Sequence, residues 1–283
     1  MLHAAPAFRA VRGEFVDLHG ARLYYYAAGT RGAGEPVVFV HGFATSSHLW
    51  TDVVSLMPTG HRLIVLDVLG HGRSDPPSER PLTLRAHGER IVELLDVLGV
   101  DAACVVGHGV GGAIAQSLAI HSSHRVARLA LLSSTGFGDW ATHAVRIARA
   151  MLPLLRRLPP PWLLSMVRTE LERGYDDRSR AVHSIDRYLR PFATMDGRDT
   201  LVRHLRALDT RETAALGARL GEIACPTAIV WGEHDPFLRV SLGCRLARAI
   251  PDATMQVIPG ARHVLPEEWP RQVADAIAEL LTR

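Results

Sequence analysis

The stretch Val105-Val106-Gly107-His108-Gly109-Val110-Gly111-Gly112 decides how this chain is read. An apolar run at residues 102–106 enters it, and a segment of helical character, residues 110–121, leaves it. Strand, glycine turn and helix in that order are the setting of the nucleophile elbow, G-x-S-x-G, which lifts its central side chain above a parallel sheet. Gly109 occupies the central position and has no side chain to lift. The chain therefore carries the framework for nucleophilic chemistry with the nucleophile's place vacant.

Working outward, short apolar runs at 36–40 and 62–67 read as strands buried on both faces, and further strands are read at 126–133, 227–231 and 254–258. Helical patterning falls between them. Over 83–98, Ile91, Leu94, Leu95 and Leu98 share one face, and Gly99 suits a helix stop. Helices are also expected at 238–250 and 270–281. Alternation of this kind predicts an α/β chain whose mostly parallel sheet is flanked by helices. Ahead of it, residues 11–18 and 22–28 flank His19-Gly20 as an antiparallel hairpin.

The pattern changes between residues 137 and 222, where helix-like apolar spacing dominates and Pro153, Pro159, Pro160, Pro161 and Pro191 act as breaks. The expected organisation is a core formed by 1–136 and 223–283 with a helical lid at 137–222. Leu152, Leu154, Leu155, Trp162, Leu163, Met166, Tyr175 and Tyr188 are its candidate pocket walls, which suits a small, mainly apolar organic molecule. A membrane-surface helix over 151–167 is disfavoured because the prolines interrupt a long amphipathic face.

Composition narrows the classes. At 283 residues, with 47% hydrophobic residues and mean hydropathy +0.07, one large domain with an insertion is expected. No apolar run reaches the length of a membrane span. Residues 1–16 lack the apolar stretch and cleavage pattern of a secretory signal. All 32 basic residues are arginine, so lysine Schiff-base chemistry and a lysine-dependent phosphate loop are excluded. The net charge of +3 is scattered, and nucleic-acid binding is not expected. Cys104, Cys225 and Cys244 have no metal-ligand spacing and suit reduced thiols in a cytoplasmic protein. No metal or cofactor is expected. Gly107, Gly109 and Gly112 spell a dinucleotide fingerprint, but several strands precede it and the next strand ends without the acid that would hold a ribose.

Four segments follow predicted strands, where ligand sites of open α/β sheets lie. They are His41-Gly42-Phe43-Ala44, the turn at Gly109, Trp231-Gly232-Glu233-His234-Asp235-Pro236, and Pro259-Gly260-Ala261-Arg262-His263. Together with Asp67-Val68-Leu69-Gly70-His71-Gly72-Arg73-Ser74, a D-x-x-G-x-G-x-S loop, they resemble the α/β-hydrolase fold superfamily over nearly the whole chain. The resemblance implies the α/β-hydrolase fold, with its order of nucleophile, acid and histidine falling on Gly109, Asp235 and His263. It also implies an oxyanion hole from the amides of Phe43 and Val110. His41 and His108 accompany these loops and are placed with Trp162, Tyr175 and Tyr188 at the substrate pocket. Glu233 is the neighbouring alternative to Asp235. Ser117, Ser133 and Ser134 lie near the elbow but lack its geometry.

A histidine base needs a carboxylate to fix its tautomer, and the pair at 235 and 263 supplies one. The vacancy at Gly109 then admits three readings. The chain is an enzyme using His263–Asp235 and the oxyanion hole without covalent catalysis, as a lyase, isomerase, cyclase or direct water-using hydrolase. Or it is an ester, epoxide or haloalkane hydrolase whose nucleophile has been replaced. Or it is a non-catalytic relative that binds a small molecule.

Overall fold

A computed structural model describes residues 13–30 and 34–283; the expected strand start at 11–12 lies outside them. Eight strands form one sheet: β1 (Glu14–Asp17), β2 (Arg22–Gly29), β3 (Val37–Val40), β4 (Arg62–Leu66), β5 (Ala103–His108), β6 (Val126–Leu132), β7 (Thr227–Gly232) and β8 (Ala253–Ile258). Their spatial order is β1-β2-β4-β3-β5-β6-β7-β8. Only β1 and β2 run antiparallel to their neighbours; every pair from β4 onward is parallel.

Strand periodicity divides each apolar run between two cores. Val37, Phe39, Leu63, Val65, Cys104 and Val106 face one layer, closed by the helices Thr51–Leu56 and Pro270–Leu281. Val38, Val40, Ile64, Leu66, Ala103 and Val105 face the other, closed by Leu84–Val97, Val110–His121 and Val240–Ala249. The central strands β3, β5 and β7 are buried on both faces, which is why β3 and most of β5 and β7 read as apolar runs, whereas the edge strand β8 alternates between partly buried and exposed positions.

Between β6 and β7 the chain forms the helices His143–Ala150, Leu152–Leu155, Pro160–Glu172, Arg178–Leu189, Met195–Ala207 and Thr210–Gly217. The proline cluster begins a helix: Pro159 is the N-cap, and Pro160 and Pro161 sit in the first turn, where a missing N–H leaves no bond unmade. Thr142, Asp177, Thr194 and Asp209 cap four of the helices by accepting from backbone amides. Leu155, Leu163, Ile185, Tyr188 and Leu201 from this segment continue the core of the first sheet face. No helix among the described residues is long and apolar enough to cross a membrane.

The D-x-x-G-x-G-x-S loop is structural. The Asp67 carboxylate accepts from the amides of Ser47 (2.6 Å) and Arg73 (2.8 Å). Ser74 Oγ donates to the Asp67 carbonyl (2.6 Å) and accepts from the Tyr24 amide (2.9 Å). The loop thereby joins β2, β4 and the turn after β3.

Around that loop lie four buried histidines. The His71 ring is 4.1 Å from that of His204 and 5.2 Å from that of His41, and His87 lies parallel to His204 at 6.3 Å. His41 donates through Nδ1 to the Gly42 carbonyl (2.8 Å) and accepts at Nε2 from the Val68 amide (2.9 Å), which requires a neutral ring. His71 Nε2 likewise accepts from the Ala44 amide (3.2 Å). Burial, reinforced by neighbouring cations and rings, holds His71, His87 and His204 well below the usual histidine range. Burial lowers His41 as well, against the Asp67 charge. The fifth, His108, is pushed down to about 3 by burial and by the charge of His263.

These rings make the fold acid-sensitive. Below about pH 6.5 the unfolded chain takes up protons that the folded chain refuses. Stability is therefore full above that pH and falls as pH drops, by about 1.4 kcal/mol per pH unit for each ring. Urea midpoints should be nearly level from neutral pH upward and decline steeply below 6.5. His204→Gln should shallow the decline. A profile that stays level through pH 5 would contradict neutral burial of these rings.

Candidate active site

The carboxyl ends of β3, β5, β7 and β8 deliver four loops to one cavity of about 520 Å³. At its floor, β5 turns into the helix Val110–His121 through Gly109, with φ 57° and ψ −119°. This conformation is strained for any residue with a Cβ. The Gly109 amide donates to the Leu132 carbonyl (3.1 Å), and its carbonyl accepts from the amides of Gly112 (3.2 Å) and Thr135 (3.0 Å). The other three glycines are demanded by close approach. A Cβ at Gly107 would strike the Gly111 carbonyl, one at Gly111 the carbonyls of Val40 and His41, and one at Gly112 the Ser134 side chain. Gly109 differs: a Cβ there would stand 3.6 Å from His263 Nε2 and 3.9 Å from Gly42 Cα, ordinary contact distances.

His263 Nδ1 is 2.7 Å from Asp235 Oδ2, and the Asp235 side chain is fully buried. Asp235 Oδ1 accepts from the amides of Phe237 (2.8 Å) and Leu238 (2.9 Å). Burial raises this carboxyl, but the His263 charge and these hydrogen bonds outweigh it and hold it below the usual range. Glu233 is turned elsewhere and accepts from the Gly260 amide (2.8 Å). With Nδ1 engaged, Nε2 of His263 is the nitrogen that faces Gly109.

His108 and Phe237 fix the imidazole plane from two sides. The His108 ring lies 4.7 Å from that of His263, and its Nε2 donates to the His263 carbonyl (3.0 Å). Phe237 meets His263 edge to face at 5.0 Å. Phe43 and Val110 both line the cavity, and among the described residues their amides donate to no backbone or side-chain acceptor. The remaining walls are mostly apolar and include Trp140, Leu155, Leu163, Met166 and Leu205.

The loop bearing His263 is laced to the helical segment. The Gly174 carbonyl accepts from the amides of both His263 and Val264 (3.2 Å each). Arg262 reaches the Asp176 carboxylate (2.7 Å), and Glu268 accepts from the amides of Asp176 and Asp177 (2.8 Å each). The buried Glu267 carboxylate takes hydroxyls from Tyr175 (3.0 Å), Ser184 (2.5 Å) and Tyr188. Burial raises Glu267, while those three hydroxyl bonds oppose the rise.

Of the residues singled out from sequence, Gly109, Asp235, His263, Phe43, Val110 and His108 converge as expected. Tyr175 and Tyr188 line the cavity, with their hydroxyls committed to Glu267. Four expectations are corrected. Leu152, Leu154 and Trp162 do not line the cavity; Trp162 is 70% exposed because its helix turns Leu163 and Val167 inward. His41 lies behind the cavity wall, held by Gly42 and Val68. Phe237, Trp140 and the Glu267 cluster were missed. Only Phe237 carried a signal, its place two residues after Asp235.

The family model described as the alpha/beta hydrolase fold matches residues 35–270. The chain is 28% identical to the 2-hydroxy-6-oxononadienedioate/2-hydroxy-6-oxononatrienedioate hydrolase of Paraburkholderia xenovorans, over 91% of this chain and 91% of that protein. It is 29% identical to haloalkane dehalogenase 2 of Mycobacterium tuberculosis, over 97% and 96% of the two chains. An alpha/beta hydrolase fold protein from Burkholderia ambifaria superposes with a TM-score of 0.85 at 23% identity, covering 94% of this chain and 97% of that one. With the parallel sheet, the loop order and the family match in agreement, this chain belongs to the alpha/beta hydrolase fold family.

Proposed function

We propose that the chain is an enzyme acting on a small, mainly apolar carbonyl compound by acid–base catalysis without a covalent intermediate. The observation that carries this reading is an intact acid–base pair, His263–Asp235, whose free Nε2 faces the vacant space above Gly109. A substrate carbonyl would accept from the amides of Phe43 and Val110, which would hold the negative charge developing on its oxygen. Removing one such donor typically costs about 3–4 kcal/mol of transition-state stabilisation.

Two reactions use this set. In direct hydrolysis, a water above Gly109 attacks the carbonyl carbon as His263 takes its proton. The tetrahedral oxyanion then collapses, and the leaving group departs with that proton. In enolate chemistry, His263 removes a proton beside the carbonyl and returns it elsewhere. Asp235 stabilises the imidazolium in both. In this reading the helical segment at 137–222 acts as a lid over the core formed by the other described residues. The relatives named for hydrolysis of an oxo-dienoate and for dehalogenation are consistent with a small organic substrate.

A second reading rests on the contact distances at Gly109: a side chain fits there, as it would in a hydrolase whose nucleophile had been replaced.

Substitution at Gly109 separates the two. Gly109→Ser should destabilise by about 1–3 kcal/mol through its backbone angles. Gly112→Ser should cost more, because it collides with Ser134. If the native site uses the vacancy, Gly109→Ser and Gly109→Asp fill it and native turnover falls. If the nucleophile was replaced, Gly109→Ser gains ester hydrolysis and reacts with a fluorophosphonate, whereas the native chain has neither property. Thermal melts, mass spectrometry and a panel of esters, lactones and enolisable ketones provide the readout.

The acid–base pair is tested independently. Once a native substrate is found in that panel, His263→Ala should lower kcat by about 100-fold or more. Asp235→Asn should also impair it by stabilising the wrong tautomer. Full activity in His263→Ala would remove the basis of this reading.

A further inference from the structure

The helices at the cavity mouth expose apolar side chains that none of the described residues covers. Ile147, Met151, Leu154, Trp162 and Met166 are all exposed and lie on or between His143–Ala150, Leu152–Leu155 and Pro160–Glu172. Ile147, Met151 and Met166 also line the cavity, so they mark where it reaches solvent. Trp162 stands one turn before Met166, and Leu154 three residues after Met151, which extends the rim outward. His143–Ala150 buries none of its residues. Concentrated exposed apolar surface beside a cavity marks an interaction site.

Charge identifies the occupant. The segment from His143 to Glu172 carries five arginines, at 146, 149, 156, 157 and 168, and two acids, Glu170 and Glu172, both at the far end, where Glu170 is paired with Arg173. The whole chain, by contrast, nearly balances 32 basic against 29 acidic residues. Arg149 pairs with Asp209 and Arg168 with Asp186. Arg156 and Arg157 are exposed, and among the described residues neither pairs with an acid. A second copy meeting this face with the same face would set arginine against arginine. A neutral apolar partner would leave both cations unmatched. The prolines expected to interrupt an amphipathic face instead start the helix that presents Trp162 and Met166 together.

We infer that this face docks on an anionic lipid surface. Leu154, Trp162 and the exposed rim enter the boundary between headgroups and acyl chains, and Arg156 and Arg157 meet the phosphates. The cavity mouth then opens onto the apolar phase, from which an apolar substrate reaches His263 without crossing water. Docking is independent of the chemistry at Gly109 and stands whether or not the reaction proposed above is the native one.

Co-sedimentation of the full chain with phosphatidylcholine vesicles, with and without phosphatidylglycerol, tests this. Binding should require the anionic lipid and weaken as salt rises. The double variant Arg156→Glu/Arg157→Glu should bind about tenfold more weakly or worse. Leu154→Ser/Trp162→Ala should lose a comparable factor. None of these four residues lines the cavity, so both variants should keep the native circular dichroism and melting behaviour. Failure to bind anionic vesicles would overturn the inference, as would binding that neither variant weakens. Self-association in sedimentation velocity that Leu154→Ser/Trp162→Ala abolishes would also overturn it, by assigning the face to a second copy of the chain.

Discussion

The turn that follows β5 is so tightly packed that three of its glycines have carbonyls or a side chain where a Cβ would be. That closeness presses the start of the helix Val110–His121 against the end of β3, which brings the amides of Phe43 and Val110 to one cavity. The rest of the site is arranged around this floor. β7 and β8 end beside it and supply the carboxylate and the imidazole, and the parallel sheet fixes their separation. The single position in the turn with room to spare, Gly109, is also the one that His263 faces.

The electrostatics around that floor set one imidazole apart from the others. His108 is driven far below neutrality by burial, and His41 and His71 use ring nitrogens as acceptors, so these imidazoles remain uncharged. Asp235 is kept ionised within a fully buried setting by two amides and one imidazole. A buried carboxylate needs such compensation to remain charged. His263 is consequently the cavity histidine with a buried anion bonded behind it and an open space in front.

Much of this was legible in the sequence because it depends on local rules. Continuous apolar runs mark strands buried on both faces, and Gly107 to Gly112 mark a turn that no larger residues could form. Asp235 and His263 follow their strands at loop positions, which identified them before their 2.7 Å contact was seen. The helical segment between β6 and β7 was less legible. Tri-proline at 159–161 suggests an interruption, yet proline is equally suited to a helix start, and only packing decides between them. Trp162 looked like a pocket wall because its hydrophobicity says nothing about which way the helix is rotated. Glu267 was invisible, since its partners Tyr175, Ser184 and Tyr188 lie 79 or more residues away. A glutamate next to a second one, Glu268, reads as solvated surface.

One backbone carbonyl has a wider implication. Gly174 accepts the amides of both His263 and Val264, and the salt bridge and carboxylate bonds on either side of it join the same two segments. The loop of His263 and the stretch following Glu172 are thus tied together, and displacing either would strain the other. The helices from His143 to Glu172 show no such hydrogen bond to the His263 imidazole among the described residues, and they reach the cavity mostly through apolar side chains, with Thr169 and Glu170 as the polar exceptions. The cavity is therefore built from two kinds of wall, one tied to the His263 loop by hydrogen bonds and one held mostly by apolar packing. Substitutions in the second can change the shape of the mouth and leave the hydrogen bonds around His263 as they are.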